Sequence, residues 1–153
     1  PLPRTTACAV GRARRGCGQT WGLTMVRAVC VGDAGLVINP LLADGKMVGG
    51  FAQGLGQALM ERVHYDADGQ ITTGSLLDYA VPRATDMPVI AIESLPSHTN
   101  ANTLGAKGVG ESGCIAAPAA LLNATIDALS PLGVINLALP LTSESLWRAI
   151  TKS

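Results

Sequence analysis

Apolar side chains recur along this chain at two periods, and each period marks a set of elements. Residues 24–31, TMVRAVCV, are mostly apolar and rich in β-branched side chains, which predicts a buried strand. Gly32-Asp33-Ala34-Gly35 then turns the chain, Val37-Ile38 resumes it, and Asn39-Pro40 stops it. From residue 47 the period changes. Met47, Phe51, Leu55, Leu59 and Val63 fall four apart, and Val48, Ala52 and Ala58 widen the same face, so 47–63 is predicted as an amphipathic helix of about four turns. Gly49, Gly50, Gly54 and Gly56 each weaken such a helix by about 1 kcal/mol relative to Ala, and close packing against another element must offset that loss. Gln53 and Gln57 lie on one side of it. Further on, Asp66-Ala67-Asp68-Gly69 reads as a hairpin turn leading into a strand over 70–77, and residues 89–95, VIAIESL, alternate as another strand. Ile115, Ala119, Leu122, Ile126 and Leu129 mark one face of a second helix with Pro118 in its first turn. Thr142 or Ser143 caps a last helix through Ile150, with Glu144 near its start.

Strands and helices mix here without a repeated strand–helix–strand unit and without internal repeats, so the expected fold class is α+β. The 153 residues suit one domain or part of one, and 48% apolar content is enough for a core. With only 3% aromatic residues, Ala, Leu, Val and Ile must build that core. Residues 1–23 carry Arg4, Arg12, Arg14 and Arg15 among small residues with neither period; they are expected to be an irregular or truncated N-terminal segment, ahead of a main unit at 24–153. A basic nucleic-acid arm is the other reading of that stretch, but it lacks interleaved aromatic residues. Formal net charge is zero, which gives no electrostatic case for nucleic acid or a membrane surface. No apolar run is expected to approach the roughly 18 residues of a spanning helix, so a soluble, cytoplasmic protein is expected. Cys8, Cys17, Cys30 and Cys114 form no C-x-x-C pair and His64 and His98 are isolated; reduced thiols, surface imidazoles and no metal ligands of the chain's own are expected.

The chemistry is concentrated at 105–113, GAKGVGESG, where glycines at 108, 110 and 113 surround one carboxylate, Glu111. The letters match G-x-G-x-x-G, yet a dinucleotide site requires a strand directly before the motif and an acid about 20 residues after it. Here a polar loop, 97–103, precedes it and the next acid is Asp127 within a predicted helix. Ser112 lacks the flanking glycine pattern of a hydrolase nucleophile. On residues alone, a glycine-rich turn with a solvated glutamate and a phosphate-cradling nucleotide module both stay open. Asp33, next to two glycines, reads as a turn former hydrogen-bonding nearby backbone in preference to an acid catalyst.

Several separated motifs agree with one family in order and spacing. GAKGVGESGCIAAPAALLNATIDALSPLGV and LPLTSESLWRAI, with VGDAGLVINPLLADGKMVGGFAQGLGQALMERVHYDADGQ and TGSLLDYAVPR upstream, resemble the C-terminal portion of the molybdenum-binding large subunit in the xanthine dehydrogenase, aldehyde oxidase and aerobic carbon monoxide dehydrogenase family. The resemblance covers residues 26–150. It implies an α+β part of a molybdopterin-binding domain, and oxidative hydroxylation of an aldehyde or N-heterocycle, or oxidation of carbon monoxide, with water as the oxygen source. It implies a molybdopterin-type molybdenum cofactor with oxo and sulfido ligands, and Glu111 as the general base that takes a proton from the metal-bound hydroxide. Lys46, Lys107, Gly108 and Gly110 are the implied cofactor contacts, although the family places a Gln where this chain has Lys46, and a lysine offers no amide oxygen. Iron–sulfur and flavin groups are expected only on partner subunits or domains. The expected partners are the remainder of the molybdenum subunit, those iron–sulfur and flavin subunits, and a small-molecule substrate. The chain alone is expected to be inactive, supplying one wall of a site, and a decayed, non-catalytic copy is the alternative that the N-terminal segment and Lys46 raise.

Overall fold

A computed structural model describes residues 6–8 as backbone and residues 22–151 in full. The expectation for 1–23 therefore falls largely outside the described residues, but within it Thr6–Cys8 forms a short strand, β1. β1 pairs antiparallel with β2, Arg27–Gly32, and β2 pairs in parallel with β3, Val89–Ser94, giving the sheet order β1-β2-β3. Parallel neighbours need a crossover, and the chain between β2 and β3 contains α1, Pro40–Leu59. Then follow α2, Ser112–Ile115, α3, Ala117–Leu129, and α4, Ser143–Thr151. The architecture is α+β, as its mixed periods imply.

One core joins sheet to helices. Ala28 and Cys30 point inward from β2, Met47, Phe51, Leu55 and Ala58 from α1, and Ala117 and Leu121 from α3, all with little or no exposure. Val109 of the glycine loop is half-buried against this cluster. The alternation of Ala28 and Cys30 with more exposed neighbours is what a half-covered strand requires.

The helices depart from their expected limits. α1 starts at Pro40, seven residues before 47, and ends at Leu59 instead of 63. Asn39-Pro40 does end the extended segment, but it also starts the helix: the Asn39 side chain accepts from the N–H of Leu42 at 3.2 Å, and Pro40 occupies the first turn, where its missing N–H costs nothing. On α3 the buried side chains are Ala117, Leu121 and Thr125, whereas Ile115 and Ala119, assigned to the inner face, are exposed. Thr125 satisfies its buried hydroxyl by donating to the carbonyl of Leu121 at 2.8 Å.

The glycines of α1 explain this face. A Cβ on Gly54 would stand 2.8 Å from the Cβ of Ala117, and one on Gly50 would stand 3.0 Å from the amide nitrogen of Cys114. α1 touches the backbone of α2 at Gly50 and the small first turn of α3 at Gly54, so small residues occupy the contact. Gly49, by contrast, faces open space.

The turn at 66–69 is formed, with Asp66 Oδ1 accepting from the N–H groups of Asp68 and Gln70 at 3.0 and 2.8 Å. The strand expected over 70–77 is not: the only pairing there among the described residues is an isolated bridge between Tyr65 and Ile71, followed by bends and turns. Ser75 caps a local turn by bonding Asp78 and the N–H of Leu77, which competes with a ladder. The last helix forms as expected, with Thr142 Oγ1 accepting from the N–H of Ser145 at 3.2 Å.

A correction concerns apolar length. Ser112–Leu132, 21 residues, is long and apolar enough to cross a membrane by length and composition, contrary to the expectation that no run approaches that limit. Ile115, Leu121, Leu122, Ile126, Leu129 and Leu132 among six alanines supply this apolarity. In the fold the run is broken at Ala116, ends in a 3-10 turn at Ser130–Leu132, and lays its small face on α1.

Candidate functional site

The loop from Gly105 to Glu111 is fixed on one side and open on the other. Its first part is strung along the turn after β2: Leu36 N–H donates to the carbonyl of Gly105 and Lys107 N–H to that of Ala34, both at 2.9 Å, around an antiparallel bridge between Gly35 and Ala106. Gly35 has φ +60, and a side chain there would run into the carbonyl oxygen of Gly105, so only glycine suits this crossing. Val109 is half-buried toward the core, and the far end is seated by Gly113, whose missing side chain admits the carbonyl of Met47 and the amide nitrogen of Phe51. Ser112 is buried beneath the loop, which removes it further from any nucleophilic role.

Between these anchors Gly108, Gly110 and Glu111 are exposed, and nothing lies within 4 Å of a Cβ built on either glycine. Among the described residues, the N–H groups of Gly108, Val109, Gly110 and Glu111 donate to no protein acceptor, and the Glu111 carboxylate takes no hydrogen bond. An exposed backbone offering four donors and one acid fits an oxygen-rich ligand. Glu111 precedes the four-residue α2, and its carbonyl accepts from the N–H of Cys114 at 3.0 Å. Burial pushes the Cys114 thiol up, and the Glu111 and Glu61 carboxylates add to the effect. Cys30 and Cys114 are both free thiols.

Lys107 is paired inside the fold with Asp33 and Ser97. Its Nζ stands 2.5 Å from Asp33 Oδ2 and 2.5 Å from Ser97 Oγ, with its side chain 15% exposed. Asp33 is buried, and besides Lys107 it receives Gly35 N–H at 2.9 Å, Ser97 N–H at 3.1 Å and the Ser97 hydroxyl. These hydrogen bonds, that of Lys107 foremost, hold its carboxyl far below the usual carboxylate range. The turn-forming bond to Gly35 was legible in the sequence; the partners 64 and 74 residues away were not. Lys46 is exposed on α1 and shares a groove with Asn39, Leu42, Ala106, Lys107 and Val109, so the structure brings it to the same side as the loop. No group of three His, Cys, Asp or Glu side chains converges as a metal-ligand set among the described residues. Residues 95–104 ahead of the loop form no strand, and the helix after it has four residues, so the strand–loop–helix of a dinucleotide site is missing from the described residues.

Comparisons with known proteins agree with this arrangement. Residues 18–88 match the family described as molybdopterin cofactor-binding domain. The chain is 44% identical over 119 residues to the nicotine 6-hydroxylase large subunit of Paenarthrobacter nicotinovorans, covering 78% of this chain and 15% of the relative. It is 41% identical over 130 residues to subunit gamma of the 6-hydroxypseudooxynicotine dehydrogenase complex of the same organism, covering 84% of this chain and 16% of the relative. Among solved structures, quinoline 2-oxidoreductase from Pseudomonas putida 86 superposes with a TM-score of 0.83 at 40% identity, over 87% of this chain and 17% of that one. The chain thus spans about a sixth of the length of the relatives it matches. Those relatives are oxidoreductases, and one is by name a subunit of a complex. The chain belongs to the family of molybdenum-binding large subunits that includes the xanthine dehydrogenases and carbon monoxide dehydrogenases.

Proposed function

We propose that this chain is the C-terminal portion of the molybdopterin-binding domain in a molybdenum hydroxylase large subunit, and that Glu111 is the general base of its site. The observation that carries the reading is the Gly108–Glu111 segment: four N–H donors and a carboxylate that make no hydrogen bond among the described residues, on a loop anchored at both ends. The amides of Gly108 and Gly110 and the Lys46 ammonium would be donors to an organic cofactor that carries the metal. Lys107 contributes by shaping the loop. When bound, the molybdenum group supplies the two-electron acceptor and acidifies water, so a carboxylate of ordinary strength suffices as proton acceptor. Glu111 receives and holds that proton, its side chain free of competing hydrogen bonds among the described residues.

Oxygen then comes from water and goes to an electron-poor carbon of the substrate. Two of the similar proteins are named for nicotine and quinoline, both nitrogen heterocycles, which favours an N-heterocycle over an aldehyde or carbon monoxide. The remainder of the subunit completes the site, and iron–sulfur and flavin groups on partner subunits or domains remove the electrons, in a cytoplasmic complex.

Glu111→Gln in the full enzyme tests this. The substitution keeps size and most hydrogen bonding but removes the proton acceptor. Fold and molybdenum content should persist while substrate-dependent reduction of the metal falls by about 10²–10⁴-fold. A rate within tenfold of the parent at equal cofactor content rules out the assignment.

A further inference from the structure

We infer that Asp33 is a positioning residue for Glu111, acting through Lys107: the internal ion pair holds the loop that carries the base. This rests on the proposed role of Glu111 and adds to it a device that sets where the base stands.

The geometry is specific. Asp33 sits at the end of β2, Ser97 three residues beyond the end of β3, and Lys107 four residues before Glu111. β2 and β3 are parallel, so their ends lie side by side, and Leu95 N–H extends the pairing by donating to the carbonyl of Gly32 at 2.9 Å. Asp33 at this sheet end accepts from Gly35 and twice from Ser97, and Lys107 adds the fourth donor across 74 residues of sequence. Lys107 also donates to Ser97 Oγ, so the three side chains form a closed triangle. The backbone repeats the tie, since Lys107 N–H donates to Ala34, the residue after Asp33. Lys107 is thus held through both its main chain and its ammonium.

Downstream of Lys107 the constraint weakens quickly. Gly108 and Gly110 put no side chain into the fold, and only the half-buried Val109 stands between the ion pair and Glu111. Two glycines in four residues leave many backbone conformations open. The position of Glu111 is therefore set from two ends, the Asp33–Lys107 pair on one side and the Gly113 seat on α1 on the other. A largely buried ion pair serves this purpose because breaking it costs both the pairing and the hydrogen bonds that tie Lys107 to Asp33 and Ser97. A base displaced by about 1 Å loses on the order of 10²-fold in rate, so a loop clamp of this kind is worth measuring by its effect on turnover.

The test uses the full holoenzyme with three variants. Asp33→Asn keeps the shape and removes the charge. Lys107→Gln removes the ammonium while leaving Asp33 its three other donors, so it keeps the question open to measurement if Asp33→Asn fails to fold. The double variant measures coupling. Each single variant is expected to lower substrate-dependent metal reduction by at least tenfold, with KM within about twofold and molybdenum content retained. The double variant is expected to lose no more than the worse single one. Hydrogen exchange should accelerate at the hydrogen-bonded amides of 105–107 and 112 while α1 and α3 keep their protection. Unchanged turnover with unchanged exchange at those amides overturns the inference. So does faster exchange with unchanged turnover, since the pair then shapes the loop without placing the base. Glu111→Gln run in parallel separates the two layers: if it abolishes turnover while Asp33 and Lys107 variants do not, only the positioning role fails, and if it retains turnover, the base assignment itself is wrong.

Discussion

Asp33 stays ionised inside the fold because four donors meet it, and this has a consequence for pH. The Lys107 bond first, then the Ser97 side chain and the backbone N–H groups of Ser97 and Gly35, lower its folded-state pKa well under the value of about 3.9 for an unfolded aspartate. A carboxyl depressed on folding adds stability that is complete above the unfolded value and is withdrawn as pH falls through and below it. The parent should lose melting temperature steeply below about pH 4, and Asp33→Asn, though less stable at neutral pH, should show a flatter profile over that window. Melting curves of the full subunit between pH 7 and pH 2.5 measure this, and parallel profiles for the two proteins would remove Asp33 from the acid response. The same residue shows what sequence reading reaches. Its bond to Gly35 is two residues long and follows from turn chemistry, while Ser97 comes to it through the parallel pairing of β2 with β3 and Lys107 through the Gly35–Ala106 bridge. The exposed glycine loop that carries Glu111 was legible because its composition is local; the Asp33–Ser97–Lys107 contacts behind it were not.

At the scale of elements, the glycines of α1 are not equivalent. Gly54 admits Ala117 and the carbonyl of Cys114, with a Cβ at 2.8 and 3.2 Å from them, whereas Gly49 has nothing within 4 Å. Gly54→Ala gains about 1 kcal/mol of helix propensity and loses about 1–3 kcal/mol to overpacking, so it should destabilise or at best break even. Gly49→Ala should raise stability by about 0.5–1 kcal/mol. Urea denaturation of the two variants decides, and the reverse order would show that α1 does not pack on α3 through Gly54. The period of apolar side chains located both helices but misplaced their faces and starts. Large residues dominate such a count, whereas the close approach over Gly50 and Gly54 is to the backbone of Gly113 and Cys114 and to Ala117 and Pro118. The first two turns of α1 carry Leu41 and Leu42 on an exposed surface beside Asp44 and Lys46, so they have no inner face for a period to reveal. Strand β2 was legible because its burial follows its own alternation and β3 because it is a β-branched apolar run, half-buried over 90–92, while residues 70–77, β-branched at Ile71, Thr72 and Thr73, form turns because local side-chain bonds replace the ladder.

For the whole molecule, the distribution of apolar surface bears on how the chain works. Leu41 and Leu76 are each 82% exposed, Leu77 93% and Ile135 88%, on separate parts of the structure, while the buried core cluster is built from only nine side chains among the described residues. Large apolar side chains scattered singly are ordinary, but Leu36, Ile38, Leu41 and Leu42 follow closely in sequence at the start of α1, and Leu76-Leu77 form a second exposed pair. Together with a match to about a sixth of the relatives' length, this supports the reading that other parts of a large subunit cover these surfaces and complete the site. Each fully covered Leu or Ile adds about 1.5–3 kcal/mol, so six such side chains amount to a sizeable fraction of a domain's net stability. The chain produced alone should therefore bind a hydrophobic dye, self-associate on size exclusion, and retain neither molybdenum nor turnover. Produced together with the preceding part of its subunit, it should lose the dye signal and co-elute with metal. A monodisperse, dye-silent chain that holds molybdenum by itself would show that the loop and α1 suffice as a cofactor site, and that the exposed leucines have another purpose.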